Sequence, residues 1–390
     1  MILLEIKGKT GSFFGSVRSR IRLVYLLRIY LIENNIVEYI NFNTTTMAGI
    51  FKFTFGPWNI HEGSDPFGPT VRETIEFSKK LNYYKKLGFE GVQFHDDDAV
   101  PDMNDLTPQQ IASKAKELKK VLDNSGLAAE FVAPRLWEDA RTIDGGYTSN
   151  DPVCRKFAIE RSKRTIDIAN AVGTNLVVLW LAREGTYIRE AKDSVVATER
   201  IVEAINIMLE YDPDVRVCIE PKPNEPMDHT YIPTTGHALA LGLLCNDSKR
   251  VGVNIESAHA ILAGLDPSDE MGFALTFNKL WTVHLNDQNG LKFDQDKTFG
   301  SVDLRRAFNQ VRILDKHDYG KNGEFIGLDV KAMRTQKDDV ATKHLSNSKE
   351  IFLKLLSISR KIDDNFIVKC QQERDYEELD LYIMKSLLGE

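Results

Sequence analysis

The 390-residue chain carries 57 acidic and 50 basic side chains, a formal charge of −7, and 42% apolar residues. A chain of this length holds either two average domains or one α/β barrel of about 250 residues with appendages, and its negative balance lacks the cationic field with which duplex-binding proteins meet phosphate. Cys154, Cys218, Cys245 and Cys370 lie far apart with no C-x-x-C pair, which argues against a zinc ribbon or disulfide framework and for reduced thiols in a cytoplasmic compartment.

The first 46 residues differ in character, with six basic and three acidic side chains. The apolar run from Ile21 to Ile32 is broken by Arg22 and Arg28, so it is too short and too charged to span a bilayer. It reads as an upstream extension before a natural start at Met47, with an amphipathic transit segment as the alternative.

From Phe53 onward the chain alternates. Strand-forming runs are expected at Phe53–Trp58, Gly91–His95, Ala129–Val132, Asn175–Trp180, Val215–Glu220, Val251–Glu256, Trp281–Asn286 and Phe325–Asp329. Most are continuously apolar, as parallel strands buried on both faces require. Between them lie helices with matching end signals: Thr107-Pro108 opening a helix that closes at Gly126, and Asp151-Pro152 opening one that ends near Gly173. Ser301 is expected to open a later helix whose Leu304, Phe308, Val311 and Leu314 share one face. Eight strand–helix repeats over about 300 residues imply an α/β fold of the (β/α)8 TIM-barrel type. A doubly wound open sheet is the alternative, but no G-x-G-x-x-G follows the first strand. The expected division is an extension over 1–46, the barrel over 47–338, and a closing helix with a C-terminal helical arm over 339–390.

In a barrel the C-terminal strand ends share one face, where ionisable side chains mark a site. Here strand two ends in His95-Asp96-Asp97-Asp98 and strand five in Glu220-Pro221-Lys222. Strand six ends in Glu256, with His259 three residues on. Strand seven ends in His284, with Asp294 and Asp296 beyond, and strand eight ends in Asp329. Singly, each has an ordinary reading as a cap, a turn former or a core histidine. Converging from consecutive strands, the carboxylates repel one another unless cations neutralise them, which implies two divalent metals. Oxygen ligands with one or two imidazoles favour Mg²⁺, Mn²⁺ or Co²⁺. Lys222, stiffened between Pro221 and Pro223, is placed to polarise a substrate oxygen.

Phe94-His95-Asp96-Asp97-Asp98, Glu220-Pro221-Lys222-Pro223-Asn224-Glu225-Pro226, and Gln288-Asn289-Gly290 leading to Phe293-Asp294-Gln295-Asp296 together resemble the xylose isomerases of the shorter, actinobacterial-type class, from about Phe53 to Thr335. The resemblance implies a structural metal on Glu220, Glu256, His284 and Asp329, and a catalytic metal on Glu256, His259, Asp294 and Asp296. It implies that His95, oriented by Asp98, assists ring opening and that Lys222 contacts the oxygen on carbon one. Trp58 and Trp180 resemble the aromatic pocket walls, with Trp137 in the adjoining pocket segment, and Phe67 resembles a phenylalanine that reaches into a neighbouring subunit's site. It also implies a homotetramer bound through the C-terminal arm, a small sugar as substrate, and no nucleic-acid or membrane partner.

Two departures stand out. His284 occupies a position where the family usually has aspartate, an arrangement similar to L-rhamnose isomerase and the ketose 3-epimerases, and it shifts the metal preference toward Mn²⁺ or Co²⁺. Val132-Ala133-Pro134-Arg135-Leu136-Trp137 replaces a Thr-rich stretch. The expected activity is conversion of D-xylose to D-xylulose, and of D-glucose to D-fructose, by metal-assisted ring opening and 1,2-hydride shift. The alternatives are another aldose such as L-rhamnose, ketose 3-epimerisation, and a metal-dependent endonuclease on the same barrel.

Overall fold

A computed structural model describes residues 51–65, 68–291 and 293–390. The expectations for residues 1–46 and for Phe67 lie outside the described residues. Eight parallel strands close a barrel: β1 Lys52–Phe55, β2 Gly91–His95, β3 Ala128–Ala133, β4 Leu176–Trp180, β5 Arg216–Glu220, β6 Val251–Glu256, β7 Leu280–His284 and β8 Phe325–Leu328, each paired with its neighbours and β8 with β1. Buried apolar residues fill these strands almost without interruption, as in Val251–Glu256, where every position is buried. β1 and β7 end earlier than expected. β1 stops at Phe55 because Pro57 starts a 3-10 turn over Pro57–Asn59, which carries Trp58 to the rim, and β7 ends at His284.

The main helices are α1 Phe77–Lys86, α2 Pro108–Ser125, α3 Pro152–Val172, α4 Ser194–Tyr211, α5 Thr235–Leu244, α6 Pro267–Thr276, α7 Leu304–Lys316, α8 Lys343–Ser359, α9 Asp364–Glu373 and α10 Tyr376–Leu388. The end signals act as expected. Thr107 and Gln110 exchange side chain to backbone hydrogen bonds at the start of α2, and Gly126 closes it at φ 70°, a left-handed conformation that a side chain would strain. Asp151 caps α3 through the Val153 amide at 2.8 Å. Asp303, not Ser301, caps α7 by accepting from the Arg306 amide at 2.9 Å, and Leu304, in the first turn, faces solvent while Ala307, Phe308, Val311 and Leu314 are buried.

α8 is the closing helix, with the Phe352 ring set edge-on to Phe51 and Phe53 at 5.3 Å each. α9 and α10 lie against α7 and α8, where Arg312 and Lys316 of α7 both pair with Asp364, and Arg305 pairs with Asp380. All four cysteines are buried and free. Among the described residues, no helix is long and apolar enough to cross a membrane.

Candidate active site

The expected residues other than Phe67 gather at the C-terminal mouth of the barrel. Parallel pairing sets Glu256 beside His284 in the register of β6 and β7, and Trp180 beside Glu220 in that of β4 and β5. Two buried groups of potential ligands form around Glu256: Glu220, Glu256 and His284, and Glu256, His259 and Asp294, the ligand atoms of each group lying within 4.8 Å of one another.

In the first group, His284 Nδ1 faces one oxygen each of Asp329, Glu256 and Glu220 at 3.5, 3.6 and 3.7 Å. In the second, His259 Nε2 lies 3.1 Å from Asp294 Oδ2 and 3.3 Å from Glu256 Oε1. Asp329 and Asp296, the fourth ligands expected of each metal, flank these groups. Asp329 accepts from the Trp58 indole at 2.8 Å, and Asp296 is paired with Lys331 at 2.7 Å. The Asn286 amide bridges the two groups, donating to Glu256 at 2.9 Å and Asp296 at 3.1 Å. Lys222 Nζ pairs with Asp294 at 2.8 Å and sits 4.8 Å above the Trp180 ring.

The pocket wall is an unbroken aromatic line. Trp58 and His95 are 4.3 Å apart, His95 and Trp137 4.9 Å, and Trp137 and Trp180 4.6 Å between ring centroids. His95 Nδ1 lies 2.8 Å from Asp98 Oδ2, as expected. The Arg135 guanidinium adds a second claimant: the same terminal nitrogen is 2.7 Å from His95 Nδ1 and 2.9 Å from Asp98 Oδ2, so His95 and Arg135 compete for that oxygen.

The Xylose isomerase-like TIM barrel family matches residues 81–337 of this chain. The xylose isomerase of Thermus thermophilus is 35% identical over 293 residues, spanning 74% of each chain. The chain belongs to the xylose isomerase-like TIM-barrel family. Among solved structures it is similar to D-psicose 3-epimerase from Clostridium cellulolyticum H10, with a TM-score of 0.56 and 16% identity over 79% of this chain and 98% of that one. It is likewise similar to 3-keto-D-glucoside 4-epimerase from E. coli, with a TM-score of 0.55 and 14% identity over 77% of this chain and 100% of that one. At these identities the likeness is one of fold.

Electrostatics divide the carboxylates of this family member. Burial pushes the Glu256 carboxyl well above the usual range, and the Asp294 charge adds to it. Burial and Asp294 likewise raise Asp296 to about 8, against the pull of Lys331. For Asp294 burial is outweighed by Lys222 and His259, which hold it well below the usual range. Glu220, despite burial, is held at about 2 by His284 and His259. His284 itself is raised, the carboxylates around Nδ1 overcoming its burial. The cluster thus has more negative sites than its own cations neutralise. His259 Nδ1 and Asp294 Oδ1 are buried without a hydrogen-bond partner. Such orphaned donor atoms between crowded carboxylates fit divalent cations.

Several side chains not expected from the sequence brace the cluster and its loops. Arg161 forks onto Asp96 with both bonds at 2.7 Å and reaches Asp97 at 3.1 Å, bracing the loop that carries His95. Glu184 accepts from the amides of Gly146, Tyr147 and Thr148 and so ties down the loop after α2 and β3. Lys331 follows Asp329 by two residues, a cation beside an acidic strand end that was the one available signal.

Proposed function

We propose that this chain is an aldose–ketose isomerase acting first on D-xylose to give D-xylulose, and also on D-glucose to give D-fructose, through a two-metal centre. The observation that carries the reading is Glu256, one carboxylate shared by two buried histidine-containing groups, with Lys222 at the edge of the second. Glu220, Glu256, His284 and Asp329 would hold one dication and Glu256, His259, Asp294 and Asp296 the other. Mixed oxygen and imidazole donors suit Mg²⁺, Mn²⁺ or Co²⁺. When bound, these ions supply Lewis-acid stabilisation of negative charge developing on the sugar oxygens.

The protein's own groups divide the remaining work. His95, held through Nδ1 by Asp98 and packed against the rings of Trp58 and Trp137, exchanges a proton with the ring oxygen or hydroxyl as the sugar opens. Lys222 keeps a fixed positive charge beside Asp294 for the oxygen on carbon one. The Trp58, Trp137 and Trp180 wall sheds water, which favours hydride movement from carbon two to carbon one over a solvent-exchanging enediol. The relative from Thermus thermophilus supports the same substrate.

The test is conversion of D-xylose with Mg²⁺, Mn²⁺ or Co²⁺ in deuterated water. D-Xylulose without deuterium at carbon one is expected; substantial incorporation at carbon one rules out the hydride route. His284 in place of an aspartate favours a second reading, another aldose such as L-rhamnose or a ketose 3-epimerisation. A panel of aldopentoses, hexoses, deoxyhexoses and ketoses decides between them, and inactivity on every aldose would sink the isomerase reading.

A further inference from the structure

Behind His284, on the side facing away from the carboxylates, a buried polar chain runs across the barrel interior. His284 Nε2 lies 3.1 Å from the Gln93 side-chain oxygen on β2. The Gln93 amide nitrogen donates to Glu130 Oε2 on β3 at 2.9 Å, and the Thr282 hydroxyl on β7 donates to Glu130 Oε1 at 2.7 Å. Gln93 and Thr282 are fully buried, Glu130 nearly so. These bonds leave little freedom. With its nitrogen committed to Glu130, Gln93 turns its oxygen toward His284. An amide oxygen can only accept, so Nε2 of His284 keeps a proton in either charge state, and Nδ1, which faces Glu220, Glu256 and Asp329, is the nitrogen left to give up its proton to a metal.

Two further features agree. The Asn254 amide nitrogen, which donates to Glu220 at 2.7 Å, also lies 3.2 Å from His284 Nδ1, so it can donate to that nitrogen only when His284 is protonated on Nε2 alone. Gly327 on β8 pairs with His284 in register, and a Cβ there would meet the Val283 carbonyl at 2.4 Å as well as the Gln93 nitrogen at 2.6 Å and His284 Cδ2 at 3.1 Å. The residue on the neighbouring strand is therefore one that leaves room for this contact.

We infer that Gln93, oriented by Glu130 and Thr282, is a positioning residue that holds His284 with its proton on Nε2 and so delivers Nδ1 as the nitrogen donor of the first metal position. The inference rests on the two-metal reading and adds to it the source of the imidazole's orientation. Because an imidazole donor favours Mn²⁺ and Co²⁺ over Mg²⁺, the relay sets metal preference as well as affinity.

The experiment uses the full-length protein. Mn²⁺ and Mg²⁺ binding is measured by calorimetry, and the ¹⁴N coupling of bound Mn²⁺ by pulsed electron paramagnetic resonance, for wild type, Gln93→Met, Glu130→Gln and His284→Asn. Removing an outer hydrogen-bond partner of a metal-bound histidine typically weakens metal binding about 10–100-fold. Gln93→Met is expected to lose Mn²⁺ affinity in that range, to lose less for Mg²⁺, and to show an altered ¹⁴N coupling. Glu130→Gln, which can still accept from Gln93, is expected to keep the wild-type values. If Gln93→Met does not fold, ¹⁵N-histidine NMR of Mg²⁺-loaded wild type reads the tautomer directly, with His284→Asn assigning the signal. A proton on Nδ1, or unchanged Mn²⁺ affinity and coupling in Gln93→Met, overturns the relay alone. Absence of Mn²⁺ binding by wild type overturns the metal centre and the relay with it.

Discussion

Trp58 donates its indole N–H to Asp329 Oδ1 at 2.8 Å across 271 residues of sequence, making the aromatic line and a carboxylate of the acidic cluster one unit. The neighbouring Asn59 amide reaches the same oxygen only at 3.5 Å and is spent mainly on the Val330 carbonyl at 2.8 Å. Trp58→Phe keeps an aromatic wall but frees Asp329. A hydrogen bond to a charged acceptor contributes about 1.5–3 kcal/mol, or roughly 10–100-fold. Steady-state kinetics on D-xylose are expected to show a fall in kcat/KM of that order, with a smaller Mg²⁺-induced rise in Tm. Unchanged kinetics would show that Asp329 needs no such restraint.

Arg161 and Asp96 form a forked ion pair that water does not reach, both bonds at 2.7 Å. Removing one partner of a buried pair leaves the other charged and unsolvated, a loss of about 3–5 kcal/mol. Arg161→Met is expected to lower the urea midpoint accordingly. Arg161→Lys recovers only part of the loss, since an ammonium cannot fork. A loss below about 1 kcal/mol in Arg161→Met would mean that the remaining donors, the Asp97 amide at 2.9 Å, the Arg135 amide at 3.1 Å and the Thr165 hydroxyl at 3.2 Å, satisfy Asp96.

Arg161 also marks how far the sequence could be read. The barrel was legible because strands buried on both faces are written as continuous apolar runs and because Thr107, Asp151 and Gly126 carry their end signals locally. Glu220, Glu256, His284 and Asp329 were legible because a barrel converts the ends of separate strands into one face. Arg161 lies mid-helix in α3, where one-dimensional spacing does not say that a charge points inward at Asp96. Gln93 and Glu130 are polar residues inside strands, and their partner His284 lies 191 residues from Gln93. Such pairings depend on register across the closed sheet, which no local pattern encodes. Leu304 failed for the opposite reason: its spacing fits the buried face, but it occupies the first residue of α7, beyond the cover of the barrel.

His344 and His61 give stability a pH dependence on the acid side. Burial lowers His344 to about 4, against the help of its hydrogen bond to the Asn59 carbonyl and with the charges of His61 and Arg72 adding to the drop. Burial, then Lys331 and Arg72, lower His61 to about 4 as well. Both start from an ordinary value of 6.5. Between these values the unfolded chain binds protons that the folded chain refuses. Stability is therefore complete above about pH 6.5 and falls as pH drops toward 4, by roughly 3 kcal/mol for the well-buried His344. Urea unfolding from pH 7 to 4.5 measures the slope. His344→Gln keeps a donor for Asn59, whose carbonyl accepts at 2.8 Å, and is expected to flatten it; an unchanged slope would place the titration elsewhere.

Glu256→Gln separates the cost of gathering carboxylates from the gain of metal binding. In the metal-free protein Glu256 is raised by burial and by Asp294, Asp329 and Asp296. The folded protein holds on to this proton more tightly than the unfolded chain does, so the carboxyl detracts from stability as pH rises above the ordinary carboxylate range. A glutamine resembles the protonated form and can still accept the Asn286 amide that Glu256 Oε1 accepts at 2.9 Å. Metal-free Glu256→Gln is thus expected to unfold at a higher temperature than wild type. With saturating Mg²⁺ or Mn²⁺ the order reverses, because a ligand present at 100 times its Kd stabilises by about 2.7 kcal/mol per site and this one residue serves both groups. Asp294→Asn provides the contrast. Asp294 is held below the usual range by Lys222 and His259, so neutralising it abandons a favourable pair and lowers Tm even without metal. Scanning calorimetry with and without chelator reads all of this, and a Glu256→Gln variant that stays more stable than wild type under saturating metal would show that Glu256 is not the shared ligand.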